Sequence, residues 1–154
     1  MTATFEAHGF REIERALDGL GQPRDLRRLG KAALKRGAKP LVDRAKELAP
    51  KDEGDLERSI KAGEPIKSYR NRTPESVSTF VGIDNSEDKN AKGRPRLEVY
   101  AAVHEFGKSG KRAQPYMRPA LDETTQEVID QTGRELWAGI EKRARLLARR
   151  AGLR

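Results

Sequence analysis

His104 and Glu105 stand side by side in the apolar run VYAAVHEFG, and no other adjacent pair in the 154-residue chain joins an imidazole to a carboxylate. An imidazole that titrates near neutrality, next to a carboxylate, is the smallest kit for general acid–base chemistry. The surroundings withhold the rest of a catalytic set. His8 is the only other histidine, far off in the sequence, so metal-ligand spacing is missing. There is no cysteine, which excludes disulfides, thiolate zinc sites and cysteine nucleophiles. No serine or second carboxylate is placed by spacing to partner His104, and neighbours on a helix point in different directions. A nuclease built on His104 and Glu105 is therefore the minor reading. The favoured one is structural: an imidazole at an interface, and a carboxylate bonded to neighbouring backbone or to an arginine. The chain is read as no enzyme, with no catalytic, metal-binding or cofactor-binding residue and no cofactor.

The glycines and lysines of FGKSGK, around Gly107 and Gly110, suggest a phosphate loop only superficially. That loop needs four residues between its glycines and then Lys-Ser/Thr opening a helix, whereas here two intervene and RAQP follows. The cations themselves remain of interest. Lys108, Lys111 and Arg112 lie in this loop, and Lys142, Arg143, Arg145, Arg149, Arg150 and Arg154 crowd the C-terminus. Such a run is usually a solvated helix end. If it meets nucleic acid it does so without reading sequence, because interleaved aromatics and groove-reading motifs are absent.

Composition narrows the classes further. Hydrophobic residues make up 35% and charged residues 36%, so the core must be thin relative to the surface. Aromatics at 5%, with a single Trp137, argue against a large ring-walled ligand pocket. Lys and Arg number 32 against 24 acids, a formal charge of +8, which favours polyanionic partners through non-specific electrostatics. The first residues show no secretory pattern, and no apolar run approaches the ~20 residues needed to span a bilayer. No membrane partner is expected.

These residues must be held by a small set of elements. One domain is expected over 1–154: a short N-terminal helix and linker over 1–22, a core over 23–147 and a basic tail over 148–154. Phe10, Ile13, Leu17 and Leu20 have helical spacing, and GLGQP breaks that helix. A second helix runs from Pro23 to about Ala49, with Leu26, Leu29, Ala33, Gly37, Leu41, Ala45 and Leu48 on one stripe. Pro40 inside it predicts a kink near Arg36–Gly37. Gly54 suits a tight reversal at positive φ, after which Leu56 and Ile60 reach the core on one helical turn. Ile60, Ala62 and Ile66 then read as a strand with its far end demoted to a sheet edge by Pro65. SVSTFVGID is the clearest strand, flanked by polar loops over 67–76 and 85–96. Leu97 onward fits either a strand or a helical stripe of Val99, Ala102, Val103 and Phe106; a short strand passing into a helix ended by Gly107 is preferred. A long C-terminal helix follows Pro119, with Leu121, Thr125, Ile129, Thr132, Leu136, Ile140, Ala144 and Leu147 on one face.

The order of these pieces resembles the tail-completion, or head–tail joining, family of long-tailed bacteriophages and related gene-transfer particles. Three motifs carry the resemblance. Ala49, Pro50, Gly54, Leu56, Ser59 and Ile60 match the first, with Glu53 where threonine is usual. Tyr100, Ala101, Glu105, Phe106 and Gly107 match the second, with His104 where an aliphatic residue is commoner. Pro115, Tyr116, Met117, Pro119, Ala120 and Leu121 match the third, with Tyr116 in place of phenylalanine. The likeness spans about residues 24 to 145.

The resemblance implies a non-enzymatic structural protein of the virion neck, made in the host cytoplasm and built into the particle. It implies an α+β subunit with long N-terminal and C-terminal helices packed on a small antiparallel sheet. Copies would form a ring, sixfold to match a tail tube, and a ring would cover apolar surface that a thin core leaves open. Partners would be the head-closure (stopper) and tail-terminator proteins, the tail tube, and double-stranded DNA in the channel through non-specific contact. Phe106, Tyr116 and Met117 would anchor packing around the basic loop, with Pro119 fixing the start of the last helix. Lys108, Lys111, Arg112, Arg143, Arg149 and Arg150 would face a partner protein or DNA. A tail terminator in the same neck, or a small basic DNA-binding protein of nucleoid type, are the alternatives.

Overall fold

The computed structural model describes residues 23–52, 54–63, 76–84 and 96–150. The expected helix over Phe10–Leu20, Glu53, Pro65, most of the two polar loops and the last four residues lie outside the described residues.

The described chain is mostly helical, with one small sheet. In order it forms α1 (Pro23–Gly37), α2 (Lys39–Leu48), α3 (Asp55–Ser59), β1 (Ile60–Gly63), β2 (Phe80–Ile83), α4 (Leu97–Phe106) and α5 (Met117–Arg150). The kink expected from Pro40 separates α1 from α2 at Ala38. Proline has no N–H for the Arg36 carbonyl, and its ring crowds that carbonyl. The chain stays helical on either side: Ala38 N–H donates to Leu34 O at 2.9 Å, and Val42 N–H to Ala38 O at 3.1 Å. Ala49 ends α2 in extended backbone (φ −63°, ψ 142°), the conformation that a following Pro50 demands. Gly54 then reverses the chain at φ 73° and accepts from Arg58 N–H to open α3.

β1 and β2 pair antiparallel, Ile60 opposite Ile83 and Gly63 opposite Phe80. The Thr79 hydroxyl extends the ladder to Gly63 O at 2.9 Å, and Asp84 N–H to Ser59 O at 2.7 Å. Among the described residues the sheet has these two strands, short of independent stability. It persists because Ile60 points into the core at 0% exposure.

α5 runs antiparallel to both N-terminal helices and joins them. Arg143 meets Asp25 and Arg44 meets Glu123, both at 2.5 Å, while Arg36 meets Glu135 at 3.1 Å. These pairs are mostly exposed, so they set register more than stability. Backbone proximity is set by glycine. A β-carbon on Gly37 would fall 2.7 Å from Thr132 Cα. The core under α2 and α4 is Leu41, Ala45, Ala49, Leu56, Ile60, Ala101, Tyr116 and Ala120, half of them alanines. Small residues let the elements approach closely but bury little apolar area each.

Two expectations are corrected. Leu97 starts a helix rather than a strand, with Arg96 O accepting from Val99 and Tyr100 N–H at 2.9 and 3.1 Å. The buried face of that helix is Ala101, His104 and Glu105, whereas Val99, Ala102 and Phe106 face outward. The apolar stripe on α5 also divides. Thr132, Leu136, Ile140 and Leu147 turn inward, but Leu121, Thr125, Ile129 and Ala144 are exposed, and Ala120, Thr124 and Val128 take the inner face near the start. The inner face of α5 thus rotates along its length, between its start beside α2, where Arg44 meets Glu123, and its end beside α1, where Arg143 meets Asp25.

Candidate functional site

The last turn of α4 and the first turn of α5 are held together by one carboxylate. Glu105 is 6% exposed. Its Oε2 accepts from the N–H groups of Tyr116 and Met117, each at 2.9 Å, and its Oε1 from Arg118 N–H at 3.2 Å. The Arg118 guanidinium adds Nε to Oε1 at 2.9 Å and reaches the Glu105 carbonyl at 2.9 Å. A helix leaves its first N–H groups without partners. Here each of them is provided for. Tyr116 O accepts the first helical bond from Ala120, Glu105 takes the N–H groups of residues 116 to 118, and Pro119 has none to offer. A negative charge at this pole also complements the dipole of a 34-residue helix.

Burial alone would push the Glu105 carboxyl up, but the hydrogen bonds from Met117, Tyr116 and Arg118 outweigh it and hold the group below its ordinary value. The Tyr116 phenol is pushed up to about 12 by burial and by the charge of Glu105. Glu105 therefore stays ionised with both oxygens occupied, the arrangement of a clamp rather than of a proton-transfer base.

His104 is used differently. It is buried, its ring lies 4.4 Å from that of Tyr100, and Nε2 is 3.1 Å from Lys111 Nζ. Tyr100 in turn donates to Asp52. The basic loop is a tight hairpin: Lys108 and Lys111 exchange both backbone bonds, at 2.9 and 2.8 Å, across a turn with Gly110 at φ 79°. Gly107, at φ 78°, closes α4 with its N–H on Val103 O, and His104 O accepts from Gln114 N–H at 2.7 Å. Lys111 thus folds back over the imidazole and the Tyr100 ring.

His104 Nδ1 is buried without a partner among the described residues. Its one side-chain partner, Lys111, is exposed, so an apolar replacement of similar size removes a half-satisfied buried polar group without leaving a buried donor unpaired. We expect His104→Leu to remain folded and to gain up to ~1 kcal/mol in urea unfolding; a loss of several kcal/mol would show that the imidazole is a necessary strut.

The nominated residues fall into three groups. Gly54, Leu56 and Ile60 shape and fill the core beside α3. Tyr100, His104, Glu105, Gly107, Tyr116, Met117 and Pro119 converge on the α4–α5 joint, where Tyr116 is itself core at 3% exposure. Phe106 stands apart on the surface at 72% exposure. Among the cations, Lys111 and Arg143 make internal contacts, while Lys108, Arg112 and Arg149 are exposed; the side chain of Arg150 is outside the described residues. Arg118 was missed. It joins the two motifs, clamping Glu105 and lying 5.4 Å over the Phe106 ring. Its signal was an arginine in PYMRPAL near a carboxylate that needed a partner.

No group of three or more His, Asp or Glu side chains that could hold a metal occurs among the described residues, and none of their helices is long and apolar enough to cross a membrane. An open cleft of about 240 Å³ lies between α1 and α5 by Asp25, Leu26, Arg28, Leu29 and Arg143, away from the joint.

Neither the curated proteins nor the solved structures contain a significant match. A family profile does match, over residues 11–107: "Bacteriophage HK97-gp10, putative tail-component". The matched span includes α1 to α4 and ends at Gly107, after Glu105 and before the helix it caps. With more than half of its length matched, the chain belongs to the HK97-gp10-like family of phage tail components.

Proposed function

We propose that this tail component is a structural subunit of the neck, where a finished tail meets the DNA-filled head, and that it works as a ring of identical copies, sixfold to match the tail tube. Its neighbours in this reading are the head-closure and tail-terminator proteins and the tube itself. Membership of a tail-component family supplies the setting. The observation that carries the ring is the apolar surface left open at the joint. Val99, Ala102 and Phe106 share the outer face of α4; Leu121 and Ile129 are exposed on α5, one turn and more beyond the Arg118 that covers the Phe106 ring. A thin alanine-rich core beside exposed Val, Leu, Ile and Phe suits a subunit completed by the next copy. The tight joint beneath has the role of fixing where that surface sits relative to α5.

Phe106→Ala tests this directly, because so exposed a side chain contributes little to the fold. The wild type is expected to show a ring-sized mass by light scattering, alone or when mixed with tails, and the variant to keep its circular dichroism but remain monomeric and fail to join tails. A variant that assembles normally, or a wild type that stays monomeric with tails present, would overturn the ring.

A further inference from the structure

We propose that the outer face of α1 is the surface that meets double-stranded DNA, an assignment that rests on the neck reading for its setting but on α1 alone for its chemistry. Arg24, Arg27, Arg28, Lys31 and Lys35 follow one another at steps of three, one, three and four residues, which places all five on one side of the helix. All five are exposed. At 1.5 Å per residue the row is about 17 Å long. Asp25, the acid in the first turn, lies off the row and is engaged by Arg143 at 2.5 Å. Among the described residues no carboxylate pairs with Arg24, Arg27, Arg28 or Lys35.

The chemistry of the row selects its partner. It holds only cations, whereas protein interfaces have cores depleted of charge and built around aromatic anchors. A membrane surface would need the apolar side of the helix as well, and α5 occupies it: Ala33 is buried, and Leu29 and Gly37 lie against Gly139 and Thr132. What remains is a line of flexible point charges matched to phosphates. A duplex carries a negative charge every ~1.7 Å of axis, so the row meets an excess of phosphates wherever it lies and needs no sequence. The other exposed cation row, Lys142, Arg145 and Arg149, shares one face of α5 while Gly139, Ile140, Arg143 and Leu147 of the same segment turn inward. That row serves as an equal-charge control.

The test compares two triple variants of the full chain, Arg24→Gln/Arg27→Gln/Arg28→Gln and Lys142→Gln/Arg145→Gln/Arg149→Gln. Binding of a labelled 30-base-pair duplex is followed by fluorescence anisotropy over a salt series, and light scattering is recorded on the same samples. The α1 variant is expected to lose at least tenfold in affinity and to flatten the salt slope by about 2–3, at ~0.9 for each phosphate no longer neutralised; the α5 variant should change less than threefold. Equal losses in both would mean that net charge alone governs binding and would overturn the assignment. So would an α1 variant that binds DNA normally; if that variant also failed to join tails, the row would belong to an acidic protein surface instead. A wild type that forms no ring while the α1 variant still loses DNA would sink the neck reading and leave the assignment of this surface intact.

Discussion

Glu105→Ala is expected to destabilise the folded chain by about 3 kcal/mol. Loss of a helix cap costs about 1–2 kcal/mol, and a buried donor left without an acceptor costs about 1–3 kcal/mol. Here the Tyr116 N–H is the buried donor, with the Met117 and Arg118 N–H groups less deeply placed. Arg118 itself is largely solvated, so water can replace its partner. The same group makes a pH signature. Because the folded carboxyl lies below its ordinary value near 4.5, the folded state holds its proton less tightly than the unfolded chain. Its contribution is complete above the ordinary carboxylate range, and it is lost as pH falls through the lower folded value. Urea unfolding over a pH series should therefore show the wild type weakening across that acid window, and Glu105→Gln, which keeps the shape but not the charge, weakening less. Parallel slopes in the two proteins would remove Glu105 as the titrating clamp.

Gly37→Ala should be the second large effect, and its sign opposes local propensity. Alanine in a helix is favoured over glycine by up to ~1 kcal/mol. At Gly37, however, the new β-carbon would lie 2.7 Å from Thr132 Cα and 2.8 Å from its Cβ. Backbone cannot swing aside as a side-chain tip can, so α1 and α5 must separate, and overpacking of this kind costs about 1–3 kcal/mol. A net loss of about 1–2 kcal/mol is expected from these two terms, with the clash the larger. Gly133→Ala supplies the contrast: nothing lies within 4 Å of a β-carbon there, and that variant should gain the propensity term. Thermal or urea unfolding of the two variants should move in opposite directions. A stabilised Gly37→Ala would mean that the helices do not cross so closely. Truncating Thr132 to alanine should not rescue the loss, because its Cα remains in the way.

Much of the framework was legible in local chemistry. Pro40 announced the break between α1 and α2, since a missing N–H interrupts a helix whatever surrounds it. Gly54 and Gly107 announced reversals that need positive φ, and both have it. The alternation of Val77, Thr79, Val81 and Ile83 announced a strand, of which Phe80–Ile83 forms, and the acids and cations at either end of α5 announced a long helix. The motifs around Pro50, Glu105 and Pro119 placed the chain among phage structural proteins, and the family match over residues 11–107 agrees at the level of a tail component.

The stripe of Leu26, Leu29, Ala33, Gly37, Leu41, Ala45 and Leu48 does face inward as its spacing predicts; what tertiary structure alone decided is which side of α4, and of each part of α5, is inside. The spacing of Val99, Ala102 and Phe106 is as helical as that of Ala101, His104 and Glu105, and hydrophobicity favoured the first set, yet the second is buried. The reason is the clamp: Glu105 can reach the three backbone donors only from the inner side of α4, and those bonds offset the desolvation of its charge. The division of the α5 stripe has the same character. Leu121 and Ile129 match Leu136 and Ile140 in type and lie on the same stripe of the sequence, but the inner face of α5 rotates between its start, which meets α2, and its end, which meets α1, and leaves them exposed. The sequence by itself determined most of the elements and their breaks, the start of α4 at Leu97 excepted, and the presence of a carboxylate in need of partners, because these follow from residues a few positions apart. Only the packed structure determined that Glu105 meets residues 116 to 118 and that Gly37 meets Thr132. Periodicity ranks the faces of one helix, and it says nothing of what arrives from elsewhere in the chain to cover them.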